Sequence, residues 1–524
     1  MLELVGTPAA PGMAAGPVVR LGSARRRSRV RRAASDEQSE IGVAIAAAQA
    51  ALAALMESVG DDEAAGILAF QMALLEDDEI TRPVAEGIAG GAAADAAWSN
   101  VMSALIADYE SSDDAYFRGR AADLTDLRER VLDALAGADA QIIAPGSIVV
   151  AEDLAPSRFL ATDWSGGGLV LQRGGTTSHV AILARSRGVP LLVGVGAIDL
   201  DDATEALLDS HEGLLVIDPD TAARERFERR RTAHEDRARA DRLHLASEAR
   251  TAGGARVRVM INVARPEELD AIDPAHVDGI GLVRTEFLFH DRRELPSEEE
   301  QYRVYRRIAE WAQGRLVTIR TLDAGGDKPI PGLTRDGESN PFLGVRGVRL
   351  SLERPDVLEV QLRALARAAV VGNVKVMVPM VAVPRELDRV RELLGKVVRD
   401  LNAAGVEAAL PPLGMMVEVP AAALAVECFD AEFYSIGSND LLQYLMAASR
   451  DEPALATLSK PGPAFWRVLR ELCEYGDAHG REVSLCGDLA SDVGAIPELI
   501  ASGLRTLSVA QATLAAVKAA VSRV

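Results

Sequence analysis

Cysteine is scarce: the chain has three among 524 residues, Cys428, Cys473 and Cys486. They form no C-x-x-C pair and are too few for a disulfide framework, so a reducing compartment is expected. Positive charge is in deficit, with 57 Lys and Arg against 78 Asp and Glu, a net charge of −21. That balance argues against nucleic acid as a partner of the whole chain. The single exception, the basic run from Arg25 to Arg32, lacks interleaved aromatic residues and reads as a solvated linker. No uninterrupted apolar run approaches the roughly 20 residues that a membrane span needs. The apolar opening, Met1 to Gly22, is broken by Pro8, Pro11 and Pro17 and has no basic n-region, so it is expected to be neither signal peptide nor anchor. Together these absences predict a cytoplasmic protein without membrane insertion.

What is present is ordinary for a globular protein, 48% hydrophobic and 26% charged. The length calls for roughly two to four domains. Residues 33–138 are rich in Ala, Leu, Glu and Asp, have Pro83 as their only proline, and carry apolar residues at helical spacing (Ile41, Val43, Ala44, Ile45; Ile67, Leu68, Phe70; Leu124, Leu127, Val131). They read as an all-helical insertion. Strands are expected on either side of it: within residues 1–22, then at Ile142-Ile143, Ser147 to Val150, Gly168 to Leu171, Leu191 to Val195 and Leu214 to Ile217. Residues 1–22 and 140–219 would therefore form one α/β domain. Residues 220–252 are dense in charge and read as an exposed linking helix. From 253 to 524 apolar runs recur, most followed by an amphipathic helix: Val257 to Ile261, Gly279 to Val283, Leu316 to Ile319, Val374 to Val378, Gly414 to Val417, Phe433 to Ile436, Val483 to Cys486 and Leu507 to Ala510. Strands alternating with helices in this number predict a (β/α)8 barrel.

The α/β domain holds the most unusual stretch, Gly174-Gly175-Thr176-Thr177-Ser178-His179, between an expected strand and an expected helix. A helix N-terminus offers free N–H groups and the positive end of a dipole, and both favour an anion. A histidine placed there can carry a phosphoryl group; the plainer alternative is a capping turn with an incidental histidine. Barrel active sites lie at the C-terminal ends of the strands. Those ends carry Arg284-Thr285-Glu286, Arg320-Thr321-Leu322-Asp323, Glu418, Asn439-Asp440 and Cys486-Gly487-Asp488, with Arg450 ten residues after Asp440. Arginines suit bidentate binding of phosphate and carboxylate, and two carboxylates with water and phosphate oxygens suit Mg²⁺. Isolated surface ion pairs are a poor account of so many such residues at one mouth. Cys428 and Cys473 fall in helical segments, where buried small side chains are expected.

At this point the chain resembles Enzyme I of the bacterial phosphotransferase system, the phosphoenolpyruvate-protein phosphotransferase family. GTPAAPGMAAGPV, ALLEDDEI, RGRAADLTDLRERVL, AEDLAPS and GGTTSHVAILARSRGVPLLVG look like its N-terminal half. GIGLVRTEFLFHDR, RTLDAGGDKPIPGL, NPFLGVRGVRL, GMMVEVPAA, SIGSNDLLQY and SLCGDLASD look like its barrel, in matching order. The resemblance implies that His179 is phosphorylated by phosphoenolpyruvate on Nε2 and passes the group to the histidine of the carrier HPr. It implies Arg284, Arg320, Arg450 and Asn439 as substrate ligands, Glu418 and Asp440 as Mg²⁺ ligands, and Cys486 as the acid that protonates the enolpyruvate carbon. Lys328 and Arg346 sit in matching motifs and add positive charge near the phosphate. It further implies HPr binding by the helices at 33–138 and a homodimer through the barrel.

Two other readings stand beside it. One is a pyruvate phosphate dikinase or phosphoenolpyruvate synthase-like enzyme, against which residues 1–138 show no Gly-rich nucleotide loop. The other is a catalytically silent regulator with the same fold. Departures from the family pattern fall at Gln172, Arg173 and Thr176 around the histidine, at Ser449 before Arg450, at Leu458-Ser459-Lys460-Pro461, and at Ala69 and Gln71 in the helices.

Overall fold

The computed structural model describes residues 1–21, 32–58, 62–111, 115–137, 143–176, 178–198, 205–289, 294–326, 328–330, 332–335, 337–450, 455, 457–458 and 460–524, with the backbone alone at 57, 58, 62–67, 115–119 and 179. The basic run at 25–31, Ile142 and Ser459 lie outside the described residues, as does the side chain of Ile67; Ile143, the other half of the expected strand Ile142-Ile143, is not in a strand. The chain divides into two compact units, Met1–His234 and Glu235–Val524.

The first unit is built on eight strands: β1 (Leu2–Val5), β2 (Thr7–Ala10), β3 (Met13–Leu21), β4 (Ile148–Ala151), β5 (Gly168–Leu171), β6 (Leu191–Val193), β7 (Glu205–Asp209) and β8 (Leu214–Ile217). Their order in the sheet is β1-β8-β7-β3-β4-β5-β6-β2. The apolar opening, read as one strand, is three, because Gly6 and the Pro11-Gly12 pair interrupt it. Its pieces reach both edges and the middle of the sheet. Side chains alternate between the two faces, as strand geometry requires. Ile148 and Val150 enter one core with Val18, Val170, Leu192 and Leu208, while Val149 and Ala151 enter another with the helices.

Among the described residues five helices separate β3 from β4: α1 (Ala34–Ser58), α2 (Asp62–Leu75), α3 (Asp78–Ala89), α4 (Ala94–Ser111) and α5 (Ala115–Ala136). By length and composition alone, α1 could cross a membrane over Ala34–Met56. Here its Ile41, Ala44, Ala48 and Leu52 share a core with Trp98, Met102, Leu124 and Val131 from α4 and α5, as one stripe of a bundle helix does. Among the described residues three further helices follow: α6 (Pro156–Ala161), α7 (His179–Arg187) and α8 (Thr221–Arg242). The highly charged α8 buries Ala223 and Phe227 against Leu207 and Val216.

The second unit closes β9 (Arg258–Val263), β10 (Gly279–Val283), β11 (Leu316–Arg320), β12 (Val374–Val378), β13 (Leu413–Val417), β14 (Phe433–Gly437), β15 (Glu482–Cys486) and β16 (Thr506–Val509) into a barrel. Every neighbouring pair is parallel, so the (β/α)8 expectation is met. Leu282, Met377, Met416, Phe433 and Cys486 pack inside the barrel, while Ile261, Ile280, Val376 and Ile436 join the helices outside it. Inward and outward residues alternate along the strands, so the hydrophobic runs are buried on both faces.

Candidate active site

In the first unit the glycine-rich turn after β5 delivers His179 as the first residue of α7. The helix starts there because Ser178 is its N-cap: its hydroxyl accepts the Ala181 N–H at 3.3 Å. It stops at Gly188, which adopts φ 64°, a left-handed conformation that only glycine takes at little cost. Gly174 begins the turn at φ 98°. Arg185, two helical turns further on, reaches back to donate to the carbonyl of Thr176 at 2.8 Å and to that of Ala9 at 2.7 Å. The turn is thereby tied to both its own helix and β2. Thr177 and the side chain of His179 lie outside the described residues.

The departures around the histidine have plain surroundings. Arg173 pairs with Glu152 at 3.0 Å on the surface, and Thr176 contributes its carbonyl to Arg185. Ala69 is exposed. Gln71, by contrast, is buried, and its amide donates to Asp126 Oδ2 at 2.9 Å and to the Asp123 carbonyl at 3.0 Å. Position 71 thus ties α2 to α5 inside the bundle.

In the second unit the strand ends converge as parallel closure demands. Arg320 ends β11, is 5% exposed, and pairs with Glu286 at 3.1 Å and Asp323 at 3.3 Å. Asp323 is fully buried and also receives Lys328 Nζ at 2.7 Å and Arg346 at 3.1 Å. Arg346, fully buried, bridges onward to Asp440 at 3.2 Å, and Arg450 approaches the same carboxylate at 3.7 Å. Burial opposes charge on Arg320, but Glu286, Asp323 and Glu418 outweigh it and hold the guanidinium above its ordinary value. For Asp323 burial is likewise outweighed, by Lys328, Arg320 and Arg346, and its carboxyl lies well below the usual range.

Glu418 behaves oppositely. Burial, then the neighbouring carboxylates Asp440 and Asp323, push its carboxyl up to about 8, against the pull of Arg320 and Arg346. One oxygen accepts the Met380 N–H at 2.6 Å. Met380 itself holds φ 57°, unusual for a residue with a side chain. Glycine on the next strand leaves room for the carboxylate: a Cβ at Gly437 would stand 2.7 Å from Glu418 Oε2. Two buried oxygen-donor groups that repel each other fit a hard divalent cation, which would relieve that repulsion. No group of three or more His, Cys, Asp or Glu side chains is arranged to hold an ion among the described residues.

Cys486 closes the ring at the end of β15, 2% exposed. Its thiol lies 3.5 Å from the Ile436 carbonyl and 3.8 Å from the Ser435 hydroxyl. Burial pushes it up to about 11, so it holds its proton at neutral pH. Gly487 follows at φ 97°, where a Cβ would stand 2.3 Å from Ser438 Oγ and 2.7 Å from Asn439 Oδ1. That close approach lets the Asp488 N–H reach Asn439 Oδ1 at 3.0 Å and lets Asn439 donate to Asp488 at 3.1 Å. Arg284 stands exposed after β10 and has no resolved ion pair among the described residues. The other two cysteines differ from each other: Cys473 is buried as expected, while Cys428 is exposed, because the short turn Val426–Cys428 turns it outward.

The structure thus brings Arg320, Arg346, Arg450, Lys328, Glu418, Asp440 and Cys486 to one mouth, through shared ion pairs or mutual electrostatic effect. Glu286 and Asp323, which hold the arginines, carried no assigned role in the sequence. The repeated Arg-then-acid pattern at two strand ends, Arg284-Thr285-Glu286 and Arg320-Thr321-Leu322-Asp323, was the available signal.

Comparison with known proteins agrees with this layout. Residues 238–524 match the PEP-utilising enzyme, PEP-binding domain; residues 5–120 match the N-terminal domain and 143–213 the mobile domain of the same enzymes. The chain belongs to the PEP-utilising enzyme family. Within it, the chain is 36% identical to a phosphoenolpyruvate-protein phosphotransferase of Bacillus sp. (strain S) over 92% of this chain and 87% of that protein. It is 39% identical to the protein of the same name from Haloferax volcanii over 89% of this chain and 83% of that protein, and 34% identical to that of Bacillus subtilis over 89% and 84%.

Proposed function

We propose that the chain is a phosphoenolpyruvate-protein phosphotransferase: His179 takes the phosphoryl group of phosphoenolpyruvate, pyruvate leaves, and His179 passes the group to the histidine of HPr. The observation that carries this reading is the barrel mouth, where buried guanidiniums and a protonated thiol stand together. Phosphoryl transfer needs charge neutralisation and positioning more than covalent help. Arg284, Arg320, Arg346, Arg450 and Lys328 supply the positive charge, and Asn439 orients the substrate.

The phosphorus–oxygen bond to the enolate breaks as the bond to His179 Nε2 forms. The electron pair left on the enolate then takes a proton at carbon from Cys486, whose pKa of about 11 keeps it an acid at working pH. Glu418 and Asp440 would hold Mg²⁺, which when bound neutralises phosphate charge. Glu286 and Asp323 act on the substrate only through the arginines they hold. We assign the helices at 33–138 to HPr docking, residues 220–252 to a link between the two units, and the barrel at 253–524 to phosphoenolpyruvate and to dimerisation in the cytoplasm. The chemistry requires His179 and the barrel mouth to meet during each transfer.

Labelled phosphoenolpyruvate tests the reading. The wild type with Mg²⁺ should acquire an acid-labile, base-stable label that HPr removes, and His179→Ala should acquire none while keeping its fold. Label on the variant, or label that requires ATP, would overturn it.

A further inference from the structure

Two aromatic residues that no step above uses stand behind the arginines of the mouth. The chain before Arg346 makes a short turn, Pro341–Leu343. Its Phe342 ring centre lies 5.9 Å from the guanidinium carbon of Arg346 and 5.9 Å from that of Arg450. A guanidinium within about 6 Å of an aromatic ring is attracted by the ring's quadrupole, so one ring attracts two cations that repel each other. The Phe342 carbonyl accepts a 2.5 Å hydrogen bond from the Tyr444 hydroxyl, and the same hydroxyl accepts from Arg346 at 3.4 Å.

Tyr444 lies four residues after Asp440 on the helix Ser438–Met446, hence on the same face. Burial pushes its phenol up to about 12, so the hydroxyl stays a donor. Glu338 fixes the same segment from its other side: its carboxylate accepts the Val345 N–H at 3.0 Å and packs directly against Gly344. Arg450 is returned to the ring by a left-handed residue, Ala447 at φ 49°, and its own N–H donates to the Gln443 side chain at 3.1 Å.

We propose that Tyr444 and Phe342 form a strut that stations Arg346 and Arg450 for the phosphoryl group of the substrate. Tyr444 pins the turn through the Phe342 carbonyl, and the Phe342 ring holds both guanidiniums. Both are positioning residues, and the proposal rests on Arg346 and Arg450 being phosphate ligands.

Tyr444→Phe deletes only the hydroxyl. The KM for phosphoenolpyruvate should rise about 3- to 10-fold, the size of one lost hydrogen bond, with kcat less affected and HPr-to-His179 transfer unchanged. Phe342→Leu keeps the carbonyl and loses the ring; it should raise KM similarly, and Phe342→Tyr should restore it. Because the two residues act on the same arginines, the double variant should raise KM by less than the product of the single effects. Unchanged KM in both single variants, a fall in thermal midpoint without a KM change, or fully multiplicative effects would overturn the strut. Failure of the underlying reading looks different: Arg346→Lys and Arg450→Lys would then leave the KM for phosphoenolpyruvate unchanged.

Discussion

At Glu418 the mouth stores an imbalance of charge that its other acids do not. Asp323 is surrounded by three cations, and removing one partner of such a buried set typically costs about 3–5 kcal/mol. Glu418 instead faces Asp440 and Asp323 in a buried setting, which moves its carboxyl from 4.5 to about 8. A folded-state value raised above the unfolded one means that the folded protein binds the proton more tightly. The resulting stability is fully present below pH 4.5 and is lost as pH rises towards 8. Without divalent cation, the melting temperature should therefore fall between pH 5 and pH 8 more steeply in the wild type than in Glu418→Gln. Mg²⁺ should flatten the wild-type curve and release close to one proton at pH 6.5, readable by calorimetry in buffers of different ionisation enthalpy. Parallel curves for the two proteins, with no proton release, would remove Glu418 from the metal site.

Elements were legible where periodicity was long and repeated. All eight barrel strands lie within a few residues of their apolar runs, because a strand buried on both faces is a continuous hydrophobic segment. β7 was missed: Glu205-Ala206-Leu207-Leu208-Asp209 is framed by acids and has only three apolar residues. Strand ends also revealed where Arg320, Glu418, Asp440 and Cys486 stand. What they could not reveal was pairing, since Glu286 meets Arg320 only because β10 and β11 are neighbours in the closed barrel. The Phe342–Tyr444 contact is similarly invisible, its partners lying 102 residues apart. The junction after β15 gives a sharp test of element geometry. Gly487→Ala would force a side chain into the left-handed region and against Ser438 and Asn439. Its cost should be at least about 1–2 kcal/mol, and kcat should fall because Cys486 and Asn439 flank the displaced residue. HPr-to-His179 transfer should survive. Wild-type kcat in this variant would show that the β15 terminus has slack that the contacts deny.

Taken whole, the chain is two units with separate hydrophobic interiors: the sheet and helix cores of residues up to 234, and the barrel core from Ala249 to Val521. Units with their own cores are expected to unfold as distinct cooperative transitions. The proposed chemistry divides the same way, with the phosphoryl acceptor in one unit and every substrate ligand in the other. Scanning calorimetry of His179→Ala, which binds phosphoenolpyruvate without consuming it, should show two transitions. Phosphoenolpyruvate with Mg²⁺ stabilises only the unit that binds it, by about 2.7 kcal/mol at a hundredfold excess over Kd. One transition should therefore move upwards and the other stay. Arg320→Ala and Arg346→Ala should abolish the movement, while HPr should shift the transition that phosphoenolpyruvate leaves in place. If phosphoenolpyruvate moved both transitions equally, substrate binding would be coupled to the first unit, and the assignment of its ligands to the barrel alone would fail.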